Sequence, residues 1–196
     1  MPCRLLLLTL CLLTGLIGCS TSRYDKSEDA SKHSLQSNIN IKNWQIAGKI
    51  GLRSPQTSNS AYLNWHQCDK AFDIRLSGPF GQGAAQLRGD GNGIRLTTPD
   101  EEYFASTANQ LLEQHLGWPL PIAQLFFWVR GIPDPTSDHQ QLTMSHFTQQ
   151  GWAINILSWQ QVKGYQLPKK LKAEHPELKV TLILKNWQPI SRCSLD

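Results

Sequence analysis

The chain has 196 residues, with 19 Lys and Arg against 15 Asp and Glu, a formal net charge of +4. That length suits one domain with a sizeable core. The small basic surplus, with no basic block interleaved by aromatics, argues against a nucleic-acid partner.

At the N-terminus a single basic residue, Arg4, precedes an apolar run from Leu5 to Ile17. The run has signal-peptide length and is short for a membrane span. It ends in Leu16-Ile17-Gly18-Cys19, the pattern of a lipobox. Residues 1–18 are therefore expected to be a cleaved leader. Cys19 is expected to open the mature chain, carrying S-diacylglycerol and an N-acyl group as its only attached groups. An ordinary secretory leader containing a cysteine, or a buried helix, is the alternative. Two or three acyl chains anchor a protein firmly, where one holds it only marginally. Ser20 is not acidic, which favours the outer membrane, facing the periplasm. Residues 19–40 form the acylated N-terminus and a polar stretch that reads as a flexible tether. The domain proper is expected over residues 41–196.

From Trp44 the pattern has period two. Trp44, Ile46, Gly48, Ile50 and Leu52 share one strand face, and residues 54–59 read as a loop. Ala61, Leu63 and Trp65 mark a second strand, alternating with Tyr62, Asn64 and His66. Phe72, Ile74 and Leu76 mark a third, Ala85 and Leu87 a fourth. Asp90-Gly91-Asn92-Gly93 is a turn signal before Ile94 and Leu96, and a short strand is expected near Tyr103. One face of this meander is apolar and the other polar.

The period then becomes helical. Thr107 and Gln110 have capping-box form, and Ala108, Leu111, Leu112, His115 and Leu116 fall on one stripe that Gly117 can close. After Pro119 and Pro121, the spacing of Ile122, Leu125, Phe126 and Val129 predicts a second helix, stopped by Gly131 and Pro133. Strands resume through Leu142, Met144 and His146, then Trp152, Ile154 and Ile156, then Leu178 to Trp187. Strands, two helices and strands again imply an α+β domain, with helices packed on one face of a curved sheet.

Catalytic chemistry is thinly represented. The chain has no Gly-x-Ser-x-Gly elbow, no His-Glu-x-x-His pair and no phosphate loop. His139 and His146 are expected on opposite faces of one strand region, and His115 reads as a core histidine. Asp100-Glu101-Glu102 and Lys169-Lys170-Leu171-Lys172 read as solvated loops. No nucleophile–base pair supports an enzyme. Cys68 and Cys193 could form a disulfide in an oxidising compartment, although spacing alone does not say so, and it matches no metal motif.

Ser77-Gly78-Pro79-Phe80-Gly81-Gln82-Gly83 joins the third and fourth strands. Glycine and proline mark a turn, and they leave Phe80 little cover. Exposing a phenylalanine forgoes about 1.5–3 kcal/mol of burial. Either the loop folds back on the body, or Phe80 with Pro79 and Gly81 forms a tip that touches acyl chains or bilayer.

Three segments carry a family resemblance: Trp44-Gln45-Ile46-Ala47-Gly48-Lys49-Ile50, the tip Gly78-Pro79-Phe80-Gly81, and Gly117-Trp118-Pro119-Leu120-Pro121-Ile122 running to Trp128-Val129-Arg130-Gly131-Ile132-Pro133. With the closing strand and short tail, the chain resembles the LolB family of outer-membrane lipoprotein receptors along essentially its whole length. The resemblance implies an incomplete, strongly curved antiparallel β-barrel, with helices filling its open side around an apolar cavity. It implies a monomer that takes triacylated lipoproteins from the periplasmic carrier LolA and inserts them into the inner leaflet of the outer membrane. It puts Phe80 where the family carries a protruding leucine, a departure that keeps bulk and apolarity. Candidate cavity walls are Trp65, Ile74, Leu76, Leu87, Leu112, Phe126 and Ile154, each of which could equally be ordinary core. The competing reading is a scaffolding lipoprotein of an envelope assembly machine that binds no acyl chain.

Overall fold

The computed structural model describes residues 37–79, 83–90 and 92–195, all within the compact unit Lys32–Asp196. Eleven strands form one sheet: β1 (Asn43–Arg53), β2 (Ser58–Cys68), β3 (Ala71–Ser77), β4 (Ala85–Asp90), β5 (Gly93–Thr97), β6 (Glu102–Ala105), β7 (His139–Thr143), β8 (His146–Gln149), β9 (Trp152–Val162), β10 (Tyr165–Glu174) and β11 (Lys179–Pro189). Between β6 and β7 lie two helices, α1 (Ala108–Leu116) and α2 (Ile122–Trp128).

The strand order is β6-β5-β4-β3-β2-β1-β11-β10-β9-β8-β7, and each neighbouring pair is antiparallel. Two meanders thus meet where β1 pairs with β11. The sheet is open, with β6 and β7 as its edges. The helical segment carries the chain from one edge to the other.

Alternation explains the core. Trp44, Ile46, Ile50 and Leu52 of β1 are all buried, with Gly48 between them. An added Cβ on Gly48 would drive into the backbone carbonyl of Ile183, so any other residue there forces the β1–β11 backbones apart. The apolar side chains of the sheet and of both helices join in one cluster. In α1 the Thr107 hydroxyl accepts from the Gln110 backbone N–H at 3.4 Å. The Gln110 side chain, however, accepts from the Ser106 hydroxyl, so the reciprocal arm of the box goes one residue upstream. Gly117 ends the helix at φ 66, in the left-handed region.

Several expectations need correction. The segment 169–172 is strand, not solvated loop: it lies in β10, with Leu171 buried and Lys169 and Lys170 exposed. Residues 142–146 do not form one strand, because β7 and β8 make a hairpin turning at Met144 and Ser145. His139 and His146 therefore lie on neighbouring strands. The loop after β1 is shorter than read, since β2 begins at Ser58. His115 is exposed rather than core, and it stacks on Tyr103 with ring centroids 3.6 Å apart. Residues assigned to the tether belong to the body: Asn38–Asn40 forms a 3-10 turn and Asn38 is fully buried.

Candidate functional site

The sheet's apolar face is organised as rows running across strands. Register pairs Ile46 with Trp65, Trp65 with Ile74, Ile74 with Leu87 and Leu87 with Leu96, so one row crosses five strands. In the other meander, Phe147, Ile154, Ala173 and Val180 align and reach Leu52 of β1. Directly opposed side chains of this kind are the unit of sheet packing.

Six of the seven wall candidates are buried members of the single apolar cluster: Trp65, Ile74, Leu76 and Leu87 on adjoining strands, Leu112 on α1 and Ile154 on β9. The seventh, Phe126 on α2, is partly buried and packs against that cluster. Phe126 stacks on Trp44 with a centroid distance of 6.1 Å, and Trp44 also contacts Trp65 at 5.0 Å and Trp187 at 5.1 Å. An aromatic group thus joins α2 to the middle of the sheet. Of the tip, Pro79 is exposed at the end of β3, while Phe80 and Gly81 lie outside the described residues, as does Cys19.

Of the buried polar side chains, none of them anticipated, two anchor the end of α2. Arg130 is 1% exposed. Its Nε donates to Phe126 O at 3.1 Å, and its Nη1 donates to the carbonyls of Asn38, Ile39 and Ile41 at 3.1, 3.2 and 3.0 Å. The guanidinium also lies 4.1 Å from the Phe126 ring centroid and 4.8 Å from that of Phe127. Burial lowers its pKa to about 10, which leaves it charged at neutral pH. Asn38 Nδ2 completes the node, donating to Arg130 O and Gln166 O at 2.8 Å each. The second is Gln149 on β8. Its Oε1 accepts from Trp128 Nε1 and from the Asp134 backbone N–H, both at 2.9 Å, and its Nε2 donates to Asp134 O at 2.8 Å. Both residues tie α2 and the chain after it into the body. A charge inside the apolar run Trp128-Val129-Arg130-Gly131-Ile132 was the one sequence signal for the first; nothing marked the second.

Cys68 and Cys193 form a disulfide, with Cα atoms 5.6 Å apart. His66 Nε2 lies 3.6 Å from Cys68 Sγ and 3.2 Å from Cys193 Sγ. Among the described residues these three form the one cluster with metal-ligand spacing. Sequence reading could not find it, because Cys68 and Cys193 are separated by 125 residues. Beside the disulfide, a recess of about 1090 Å³ opens where β2, β4 and β6 end, with Leu195 of the tail along its wall.

The profile of the family described as "Outer membrane lipoprotein LolB" matches residues 42–187. The outer-membrane lipoprotein LolB of Pseudomonas putida strain GB-1 is 42% identical over 167 residues, covering 82% of this chain and 80% of the relative. Among solved structures, a DUF1329 family protein from Desulfovibrio piger superposes with TM-score 0.55 at 6% identity, covering 85% of this chain and 95% of that one. A LolA superfamily protein from Nitrosomonas europaea superposes with TM-score 0.52 at 9% identity, covering 83% and 94%. At such identities these two likenesses concern fold alone.

Proposed function

Because the chain belongs to the LolB family of outer-membrane lipoproteins, we propose that it is the receptor that accepts triacylated lipoproteins from the periplasmic carrier LolA and inserts them into the inner leaflet of the outer membrane. Cys19 carries the lipid that holds it there, facing the periplasm, and the tether lets the body reach the carrier. The observation that carries the reading is the family match over the folded body, residues 42–187. The continuous apolar rows of the sheet are its physical counterpart.

Acyl chains cannot cross water uncovered. Each buried methylene is worth about 0.8 kcal/mol, so three chains in water are prohibitive. A receptor has to exchange one apolar surface for another. The rows built from Trp65, Ile74, Leu87 and Ile154 offer that surface when α1 and α2, which pack into the same apolar cluster, yield to cargo. Direction comes from differential affinity: the carrier binds weakest, this protein more strongly and the bilayer most strongly, with a factor of ten for every 1.4 kcal/mol or so. No covalent step and no nucleotide is required of the protein. In this reading Phe80, in the segment that joins β3 and β4, meets the bilayer first.

Transfer in solution tests this. A chain lacking the leader and Cys19 is mixed with carrier-bound lipoprotein, and cargo is followed by tag pull-down. Cargo moving onto this protein is the expected result. Cargo that stays on an active carrier, with the receptor folded, overturns the reading in favour of the scaffolding role.

A further inference from the structure

We propose that His66, Cys68 and Cys193 form a redox-gated site for a thiophilic d10 cation, of which Zn²⁺ is the probe: a disulfide when oxidised, a Cys₂His ligand set when reduced. The proposal does not rest on the receptor function. His66 and Cys68 are two residues apart on β2 and therefore share a face. Cys193 comes from the tail beyond β11, and all three side chains are half-buried.

The distances already suit a metal on two of three edges. A tetrahedral zinc ion, with Zn–S near 2.3 Å and Zn–N near 2.05 Å, separates a nitrogen and a sulfur ligand by about 3.5 Å and two sulfurs by about 3.8 Å. His66 Nε2 stands 3.6 and 3.2 Å from the two sulfurs. Only the sulfur–sulfur edge has to lengthen, from a bond to ligand spacing. Cys193 can supply that movement, because it sits outside the sheet, in the tail beyond β11, where the Arg88 guanidinium donates to Leu195 O at 3.0 Å. A neutral imidazole in the tautomer that leaves Nε2 unprotonated, together with two thiolates, is a donor set that zinc favours, and a water completes the fourth position.

The chemistry balances. A dithiol reductant attacks one sulfur of the Cys68–Cys193 bond and forms a mixed disulfide. Its second thiol displaces the protein sulfur, leaving a cyclic disulfide and two protein thiols, a two-electron exchange. Zinc then displaces the two thiol protons to solvent while His66 binds neutral. The tail stays clasped to β2 in both states, by a covalent bond in one and by the cation in the other.

The test uses the processed, acylated protein in detergent. It is reduced with a dithiol, desalted without oxygen and titrated with Zn²⁺, with native mass spectrometry and a competing chromogenic chelator as readouts. One zinc per chain is expected in the reduced protein and none in the oxidised protein. Binding should be lost in Cys193→Ser and weakened at least tenfold in His66→Gln, which keeps both cysteines and hence the disulfide. Co²⁺ in place of Zn²⁺ should give sulfur-to-metal charge-transfer absorption in the reduced wild type and none in the oxidised protein or in Cys193→Ser. A reduced chain that takes up no zinc overturns the proposal and leaves a purely structural disulfide, whether that chain stays folded or not. Wild-type affinity in Cys193→Ser or His66→Gln overturns it equally.

Discussion

The apolar rows of the sheet and the Arg130 node lie within one body and are built on opposite terms. The row from Ile46 through Trp65, Ile74 and Leu87 to Leu96 holds by contact area, which is non-directional. The node holds by donors aimed at particular carbonyls, those of Asn38, Ile39, Ile41 and Phe126. A contact made of area can be exchanged for another apolar surface, such as an acyl chain, with little net change. One made of directed bonds around a buried charge cannot. The protein thus combines a face held by contact area with an anchor held by directed bonds.

The largest expected effect breaks the anchor. Arg130→Leu strands the carbonyls of Asn38, Ile39 and Ile41 and should lower unfolding stability by about 3–5 kcal/mol in urea titration. Limited proteolysis near Ile39 should quicken in the same variant. Next comes the seam between the meanders: Gly48→Ala pushes on Ile183 and should cost about 1–3 kcal/mol, read as a lower urea midpoint with an unchanged slope. Within the rows, the volume-conserving Leu87→Met should cost less than about 1.5 kcal/mol and leave cargo acceptance intact. A cost matching that of Arg130→Leu would erase the distinction between the two regions. Smallest in stability is Phe80→Glu, within about 0.5 kcal/mol of wild type. It should nevertheless block delivery to lipid vesicles after normal uptake of cargo. A stable variant that still delivers removes the tip from the mechanism.

The first meander was readable because its strands alternate with little interruption: Leu63, Trp65, Ile74, Leu76, Ala85 and Leu87 all face inward as the period of two requires. The second hides its pattern. In β10 the register shifts between Pro168 and Lys170 and again before Leu171, which puts Leu167 and Pro168 side by side in the core and two lysines together outside. A bulge of this kind breaks the period on which the reading depends. Two hairpin turns also lacked the usual signals. Gln150-Gly151 and Lys163-Gly164 adopt positive φ at both residues, a conformation that Asn-Gly announces and Gln or Lys does not. His115 was misread because its place on the helical stripe was counted, while stacking on Tyr103 across the gap to β6 was invisible. Arg130, Gln149 and the His66 cluster depend on partners far along the chain, and no local pattern encodes them.

The pairing of β1 with β11 also bears on how the molecule is made. Trp44 lies opposite Pro189, so the seam joins nearly the two ends of the domain. A polypeptide made N-terminus first presents β1 long before its mate arrives. Each meander can zip locally, hairpin by hairpin, but the β1 edge that faces β11 stays unpaired until β11 has been made. Such distant contacts close slowly, and an open apolar strand invites pairing with other chains in the meantime. Maturation should therefore lag behind synthesis, and a holding chaperone during that interval should raise the yield of folded protein more than faster synthesis would.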